Sequence, residues 1–259
     1  MMIAPVPFPE RIRQTGFTLV EMAMVLMIVA LLLGGLLPTI TSQVEQRHEN
    51  DTLKQLDEIQ QALIGFAIIN GRLPCPATST SNGAENFAVG HSAADGICSN
   101  FYNGFVPAAT LGLSGATNAG LVLDAWGNPI RYAVTSWNST SPSLNDVFTT
   151  TNGMHTVGIS NLAPTSLLVC STSTGIAASS CSSGNALTTN GVPAVIFSTG
   201  KNGAQGSAGT DEAVNLHNSP YATYQTYVSH LPAANFDDIV IWLSPNFLVN
   251  RMVSAGKLP

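Results

Sequence analysis

The hydrophobic pattern divides the chain into three parts, of which the first is the most distinctive. From Phe17 to Leu37 the sequence is an apolar run of 21 residues in which Glu21 is the one charged residue. At about 1.5 Å per residue a helix of this length spans roughly 30 Å, the thickness of the hydrocarbon core of a membrane. The pattern therefore predicts a transmembrane helix over residues 17–37.

The second part, residues 38–70, is predicted to continue this helix as an amphipathic segment. Apolar residues recur at steps of three and four, and charged residues occupy much of the remaining surface. Pro38 lies at the junction, and we expect a helix kink there because proline removes a helical hydrogen bond. Asn70 and Gly71 form a typical helix stop. An ordinary linker helix or a coiled-coil seam is the alternative.

The third part, residues 71–259, is predicted to be a globular head without a long helix. Short apolar runs alternate with turn signals, which favours mostly antiparallel strands in a sheet packed on the helix. The runs cover residues 121–123, 130–134, 167–169, 192–197 and 239–243. The predicted fold class is therefore α+β, with a long N-terminal α-helix packed on a mostly antiparallel β-sheet head.

Composition and charge narrow the possible functions. Charged residues make up 9% of the chain and the formal net charge is −6. No cluster of Lys and Arg occurs, so the sequence predicts no nucleic-acid partner. The chain also lacks G-x-S-x-G, H-E-x-x-H and Walker A sequences, and its histidines are isolated. We therefore expect no enzyme and assign no catalytic residue.

The four cysteines are Cys75, Cys98, Cys170 and Cys181. None forms a C-x-x-C pair, and an even number in an exported chain indicates disulfides. Three connectivities are possible, and the pairs Cys75–Cys98 and Cys170–Cys181 are favoured because short loops close at the least entropic cost. Four buried free thiols are the alternative.

The segment before the apolar run, residues 1–16, reads as a leader. It carries Arg11 and Arg13, and positive charge on this side keeps a leader in the cytoplasm and directs the following chain across the membrane. An ordinary secretory signal peptide has a shorter apolar stretch. A plain signal anchor explains the length but not Glu21, since a carboxylate in lipid is costly unless it is paired.

The string Gly16–Glu21, GFTLVE, closely resembles the processing site of type IV prepilins and type II secretion pseudopilins. The resemblance implies cleavage after Gly16 by a prepilin peptidase and N-methylation of the new Phe17 amine. It also implies that Glu21 meets the N-terminal amine of a neighbouring subunit during assembly, a pairing that would fix the register between helices. The expected location is the bacterial inner membrane, single-pass with the head in the periplasm, and later a filament.

Two strings in the head extend this resemblance to pseudopilins. Asp124–Tyr132 is similar to their D-x-W-G-N-P…Y segment, and Ser198–Gly203 with residues 235–239 is similar to their S-x-G-x-(D/N)-G…D-D-I pattern. In that family the glycine loop binds calcium, which implies Asp237 and Asp238 as metal ligands, and the oxygen chemistry suits Ca²⁺. The alternative is that both aspartates hydrogen-bond a turn before a buried strand.

The resemblance predicts a structural subunit, minor or specialised because the head is large, that is assembled into a type II secretion pseudopilus or a type IV pilus. Its expected partners are prepilin peptidase, other pilin or pseudopilin subunits, the inner-membrane assembly platform and membrane lipid. A pilus-borne adhesin is an alternative, because the Ser/Thr/Gly-rich loop Ser171–Asn190 is suited to display. A membrane-anchored exported hydrolase is a further alternative.

We predict that Gly16→Val blocks maturation, because a branched side chain at the cleavage position obstructs the peptidase. The unprocessed precursor should accumulate, as measured by the intact mass of the chain. The conservative Gly16→Ala is the matched control and should be cleaved better than Gly16→Val. A normally shortened Gly16→Val product would contradict the prepilin interpretation.

Overall fold

The computed structural model describes residues 16–114, 116–117, 119–163, 166–188, 190–203, 210–218 and 220–258, without the side chains of residues 34–40. The chain divides between Arg47 and His48 into two compact units. Helix α1, Leu19–Asn70, contributes residues to both units. The predicted leader, apart from Gly16, lies outside the described residues.

The first unit contains the apolar beginning of α1. Thirteen large apolar side chains between Phe17 and Leu33 are more than 40% exposed there. Within the residues that the structure describes, no helix is long and apolar enough to cross a membrane. The last residues of the apolar run and the predicted kink at Pro38 belong to the part whose side chains are not described, although the helix itself continues through position 38.

In the second unit, α1 buries a stripe of side chains in the main core. The stripe steps by three or four residues and consists of Thr52, Leu56, Ile59, Leu63 and Ala67, each at most 2% exposed. Such spacing places all of them on one helix face. Thr52, which a pattern of apolar residues does not mark, is also fully buried. Its Oγ1 accepts a hydrogen bond from the backbone N–H of Ala125 (3.2 Å), which compensates for the burial of the hydroxyl.

The central sheet has four antiparallel strands in the order β1-β2-β6-β8. Their bounds are Gly104–Phe105 for β1, Arg131–Val134 for β2, Ala194–Ser198 for β6 and Ile239–Leu243 for β8. Tyr132 and Ile196 point toward the stripe of α1, whereas Ala133 and Val195 lie in a second apolar cluster. This alternation shows that both faces of the sheet are covered.

A second layer covers the sheet face opposite the helix. It contains strands β5, Leu168–Cys170, and β7, Thr226–Val228, which pair in parallel. Leu167, Val169 and Tyr227 pack there with the sheet residue Phe197. The α+β fold class with an antiparallel central sheet is confirmed, and the parallel pair is an addition that local alternation does not reveal.

The remaining elements are short, with one exception. They are helices α2, Ala108–Leu111, α3, Gly153–Val157, and α4, Thr210–Asn215, strands β3, Ser139–Thr140, and β4, Ser143–Leu144, and a 3-10 turn, Ile159–Asn161. The exception is α5, Pro245–Ser254, which buries Leu248 and Met252 in the main core. At ten residues α5 is no longer than an ordinary helix of a globular protein, but the sequence analysis did not predict it. Residues 121–123 were also expected to form a strand, but only Leu123 makes an isolated bridge.

Two disulfides are present, Cys75–Cys98 and Cys170–Cys181. They are the two pairs that close the shortest loops. The first encloses the segment that follows α1. The second lies in the Ser/Thr/Gly-rich excursion, much of which is exposed.

The exit from α1 is held by a buried ion pair. Gly71 ends the helix with a positive φ of 67°, which glycine tolerates best. The next residue, Arg72, donates two 2.7 Å hydrogen bonds to the carboxylate of Glu85, and the two side chains are only 7% and 16% exposed. The guanidinium also lies 5.1 Å from the ring centroid of Phe66 and 5.6 Å from that of Phe87.

We predict that Glu85→Gln lowers the free energy of unfolding of the head by about 3 kcal/mol, because it leaves a buried guanidinium without its charge partner. Urea denaturation of the full chain in detergent measures this change. Glu58→Gln is the matched control, since Glu58 is exposed on α1, and it should stay within about 0.5 kcal/mol of wild type. Equal effects of the two substitutions would contradict a stabilising role for the pair.

Candidate functional sites: the helix start and an acidic cluster

The start of α1 is a capping box formed by Thr18 and Glu21. The backbone N–H of Thr18 donates to Glu21 Oε2 (2.9 Å), and the backbone N–H of Glu21 donates to Thr18 Oγ1 (3.2 Å). The Thr18 hydroxyl also donates to Glu21 Oε2 (2.8 Å). These reciprocal bonds satisfy two backbone donors that a helix start would otherwise leave unpaired. Glu21 thus has a partner within its own chain.

The predicted cleavage position is open to approach. Gly16 is exposed, and a Cβ built there would meet no atom within 4 Å. Phe17, the predicted first residue after cleavage, is 84% exposed. A side chain added at Gly16 therefore disturbs no packing of the described chain, so an effect of Gly16→Val on maturation would act on the peptidase step.

In the head, the two strings Asp124–Tyr132 and Ser198–Gly203 lie against each other. The Ser198 hydroxyl donates to Asp124 Oδ2 (2.5 Å), and the Asn128 side-chain amide donates to the carbonyl of Gly200 (2.6 Å). Asp124 Oδ1 also accepts the backbone N–H of Asn128 (2.8 Å). Side-chain hydrogen bonds to the chain's own turn are a typical use of aspartate and asparagine, and here they also position the glycine loop.

The glycine loop lies directly on Asp237. The backbone N–H of Asn202 donates to Asp237 Oδ2 (3.2 Å). Gly200 has a φ of 60°, and a Cβ at this position would lie 2.5 Å from Asp237 Oδ1. Only glycine permits so close an approach of backbone to carboxylate.

Three carboxylates converge beside this loop: Glu212 of α4 with Asp237 and Asp238. One oxygen from each lies within 4.8 Å of the others. Glu212 is 1% exposed and Asp238 is 5% exposed. The Asp237 backbone N–H donates to Glu212 Oε1 (3.0 Å), and the amide of Asn215 donates to Asp238 Oδ2 (2.7 Å). Asp237 Oδ1 is buried and has no hydrogen-bond partner among the described residues.

The electrostatics of the cluster disfavour three negative charges. Burial raises the pKa of Asp238 to about 8, and the charges of Glu212 and Asp237 add to this rise, while the Asn215 amide opposes it. Burial likewise raises the pKa of Asp237, and the negative charge of Glu212 adds to the effect. Repulsion of this kind is relieved by a bound proton or a bound cation.

Comparison with family models decides the character of the N-terminal site. The model described as "Prokaryotic N-terminal methylation motif" matches residues 11–37, which include Gly16, Phe17 and Glu21. The chain carries the type IV pilin and pseudopilin signature. Searches among curated proteins and among solved structures found no match.

The match covers the leader end, the cleavage position and the apolar run, and it does not extend to residues 38–259. The assignment of Gly16, Phe17 and Glu21 therefore has support from the motif, whereas Asp237 and Asp238 rest on geometry alone. The structure brings these two aspartates together with the glycine loop, as their pairing in the sequence suggested.

Sequence reasoning missed Glu212 as a member of the acidic cluster. It lies 25 residues before Asp237 in the chain, too far for local spacing to connect them. A signal was available, since Thr210, Asp211 and Glu212 have the composition of a helix start, where acidic residues complement the helix dipole.

Proposed function

We propose that this chain is a structural pilin-like subunit that is processed after Gly16 by prepilin peptidase and assembled into a filament. The observation that carries the proposal is the apolar first unit of α1, whose large side chains are exposed on every side of the helix. A helix that is apolar all round requires lipid or neighbouring helices. Burial of thirteen such side chains is worth on the order of 20 kcal/mol.

The same surface supports a location in the bacterial inner membrane before assembly, with the head in the periplasm. In the sequence the apolar run extends to Leu37, which is the length that a membrane span needs. We propose other pilin or pseudopilin subunits and the inner-membrane assembly platform as partners. Proteins with this motif are generally structural, so we propose assembly as the function and no catalysis.

Within this class, we propose a minor or specialised subunit of a type II secretion pseudopilus. The packing of Asp124 and Asn128 against Ser198 and Gly200 supports the pseudopilin branch, because the two strings that resemble pseudopilins form one site. A type IV pilus is the alternative. The head is large because a second layer of strands packs on the central sheet. This large head supports a minor or specialised subunit.

We further propose that the acidic cluster binds Ca²⁺. Oxygens bound to one calcium ion at about 2.4 Å can be no more than about 4.8 Å apart, and the three carboxylate oxygens satisfy this limit. The unpartnered, buried Asp237 Oδ1 is a suitable ligand atom. Glu212, Asp237 and Asp238 would hold the ion, which would neutralise their repulsion and fix the glycine loop.

We predict that Glu21→Ala leaves membrane insertion intact and reduces incorporation into filaments by more than about tenfold, because the neighbouring amine would lose its charge partner. Immunoblots of sheared filaments and of membranes measure the two quantities. Glu58→Ala, which removes an exposed carboxylate from the same helix, should incorporate normally.

The substitution Thr18→Ala distinguishes the proposed pairing of Glu21 with a neighbouring amine from the role of Glu21 in the capping box. It removes the two hydrogen bonds of the Thr18 hydroxyl and leaves the Glu21 carboxylate available to a neighbour. We expect it to incorporate far better than Glu21→Ala. Equal loss in both variants would contradict the intersubunit role of Glu21 and assign its effect to the capping box.

We predict that about 1 mM Ca²⁺, in the range typical of extracellular calcium modules, raises the melting temperature of the full chain relative to a chelator. A ligand that binds only the folded state stabilises it by mass action. The increase should disappear in Asp237→Ala/Asp238→Ala and in Glu212→Gln, and persist in the control Asp57→Asn on the exposed face of α1. An unchanged melting temperature of wild type would contradict the calcium site and leave the assembly proposal standing.

A further inference from the structure

A groove of about 460 Å³ lies beside the end of β8, where the chain enters α5. It is lined by Leu187, Val192 and Trp242, and by Ser244 and Asn246 at the start of α5. Its volume falls within the range of small-molecule sites. Val192 and Trp242 belong to the apolar cluster of the second layer, and none of the acidic cluster residues lines the groove.

The groove offers several polar groups that the fold leaves unused. Ser244 is the N-cap residue of α5, but its hydroxyl makes no capping hydrogen bond. Among the described residues, the side chains of Asn190 and Asn246 and the indole N–H of Trp242 likewise make no hydrogen bond, whereas the exposed surfaces of Leu187 and Trp242 are apolar. Hydroxyl, amide and indole groups thus line the same groove.

The chemistry of the lining restricts the class of ligand. None of the described residues that line the groove is charged at neutral pH, so neither an anion nor a cation finds a charge partner there. A purely apolar ligand would bury the hydroxyl and amide groups without hydrogen bonds, which is costly.

A peptide added as a further strand is disfavoured by the edge of the sheet. β8 is an edge strand, but the carbonyl of Trp242 already accepts a hydrogen bond from the Gln60 side chain of α1 (3.1 Å). Strand addition needs such backbone groups to be free. The class of ligand that fits the lining has apolar ring faces, many hydroxyl groups and no charge.

We propose that the groove beside Trp242 binds a neutral saccharide. The indole ring receives a sugar face, since Trp combines a large apolar surface with a polar N–H. Asn190, Ser244 and Asn246 bond the hydroxyl groups at the rim. The head then recognises a glycan in addition to its place in a filament, and this activity does not depend on the assembly function.

The test uses the mature full chain in detergent and a panel of neutral oligosaccharides: cellopentaose, chitopentaose, maltopentaose and mannopentaose. At least one should give a saturable change in tryptophan fluorescence and a matching calorimetric titration. The fluorescence change should vanish in Trp242→Phe, which retains Trp126 and Trp137 as internal references.

Asn246→Ala should weaken the calorimetric affinity about fivefold, as expected for one lost hydrogen bond. Asn250→Ala is the matched control on the same helix, since Asn250 is exposed and does not line the groove, and it should bind as wild type. Failure of all four saccharides, or affinities that Trp242→Phe and Asn246→Ala leave unchanged, would overturn the proposal.

Discussion

The structure depends on a helix whose two halves must be buried by different partners. Residues 52–67 of α1 place one stripe against the central sheet, and the head folds around it. Residues 17–33 expose apolar side chains on every face, and none of the residues that the structure describes buries them. Apolar surface of this extent is costly in water, which is why we propose lipid or neighbouring helices as its surroundings.

The helix start contains a carboxylate, Glu21, within this apolar segment. Glu21 in an apolar segment is costly when unpaired, and the bonds with Thr18 satisfy it within one chain. The proposed filament replaces this local partner by the amine of a neighbour. In the single chain the Glu21 carboxylate therefore accepts hydrogen bonds from Thr18. In the proposed filament these bonds could be exchanged for a pairing with a neighbouring amine.

Local sequence signals identified the N-terminal motif that the family model matches, because Gly16–Glu21 and the apolar run are contiguous. They also located β2, β6 and β8, whose residues form dense apolar runs. The parallel pairing of β5 with β7 was not predictable, since the paired positions Leu168 and Thr226 lie 58 residues apart in the chain and long-range pairing leaves no local pattern. The helix α5 was missed although Ser244 and Pro245 form a helix-start signal.

The hydrogen bonds of the head form a continuous path from the helix to the acidic cluster. Thr52 accepts a hydrogen bond from the backbone N–H of Ala125, and the preceding residue, Asp124, accepts one from the hydroxyl of Ser198. In the glycine loop that follows Ser198, the backbone N–H of Asn202 donates to Asp237. These bonds tie the acidic cluster to the face of α1 that carries Thr52, so the position of the cluster depends on the register of the helix against the head.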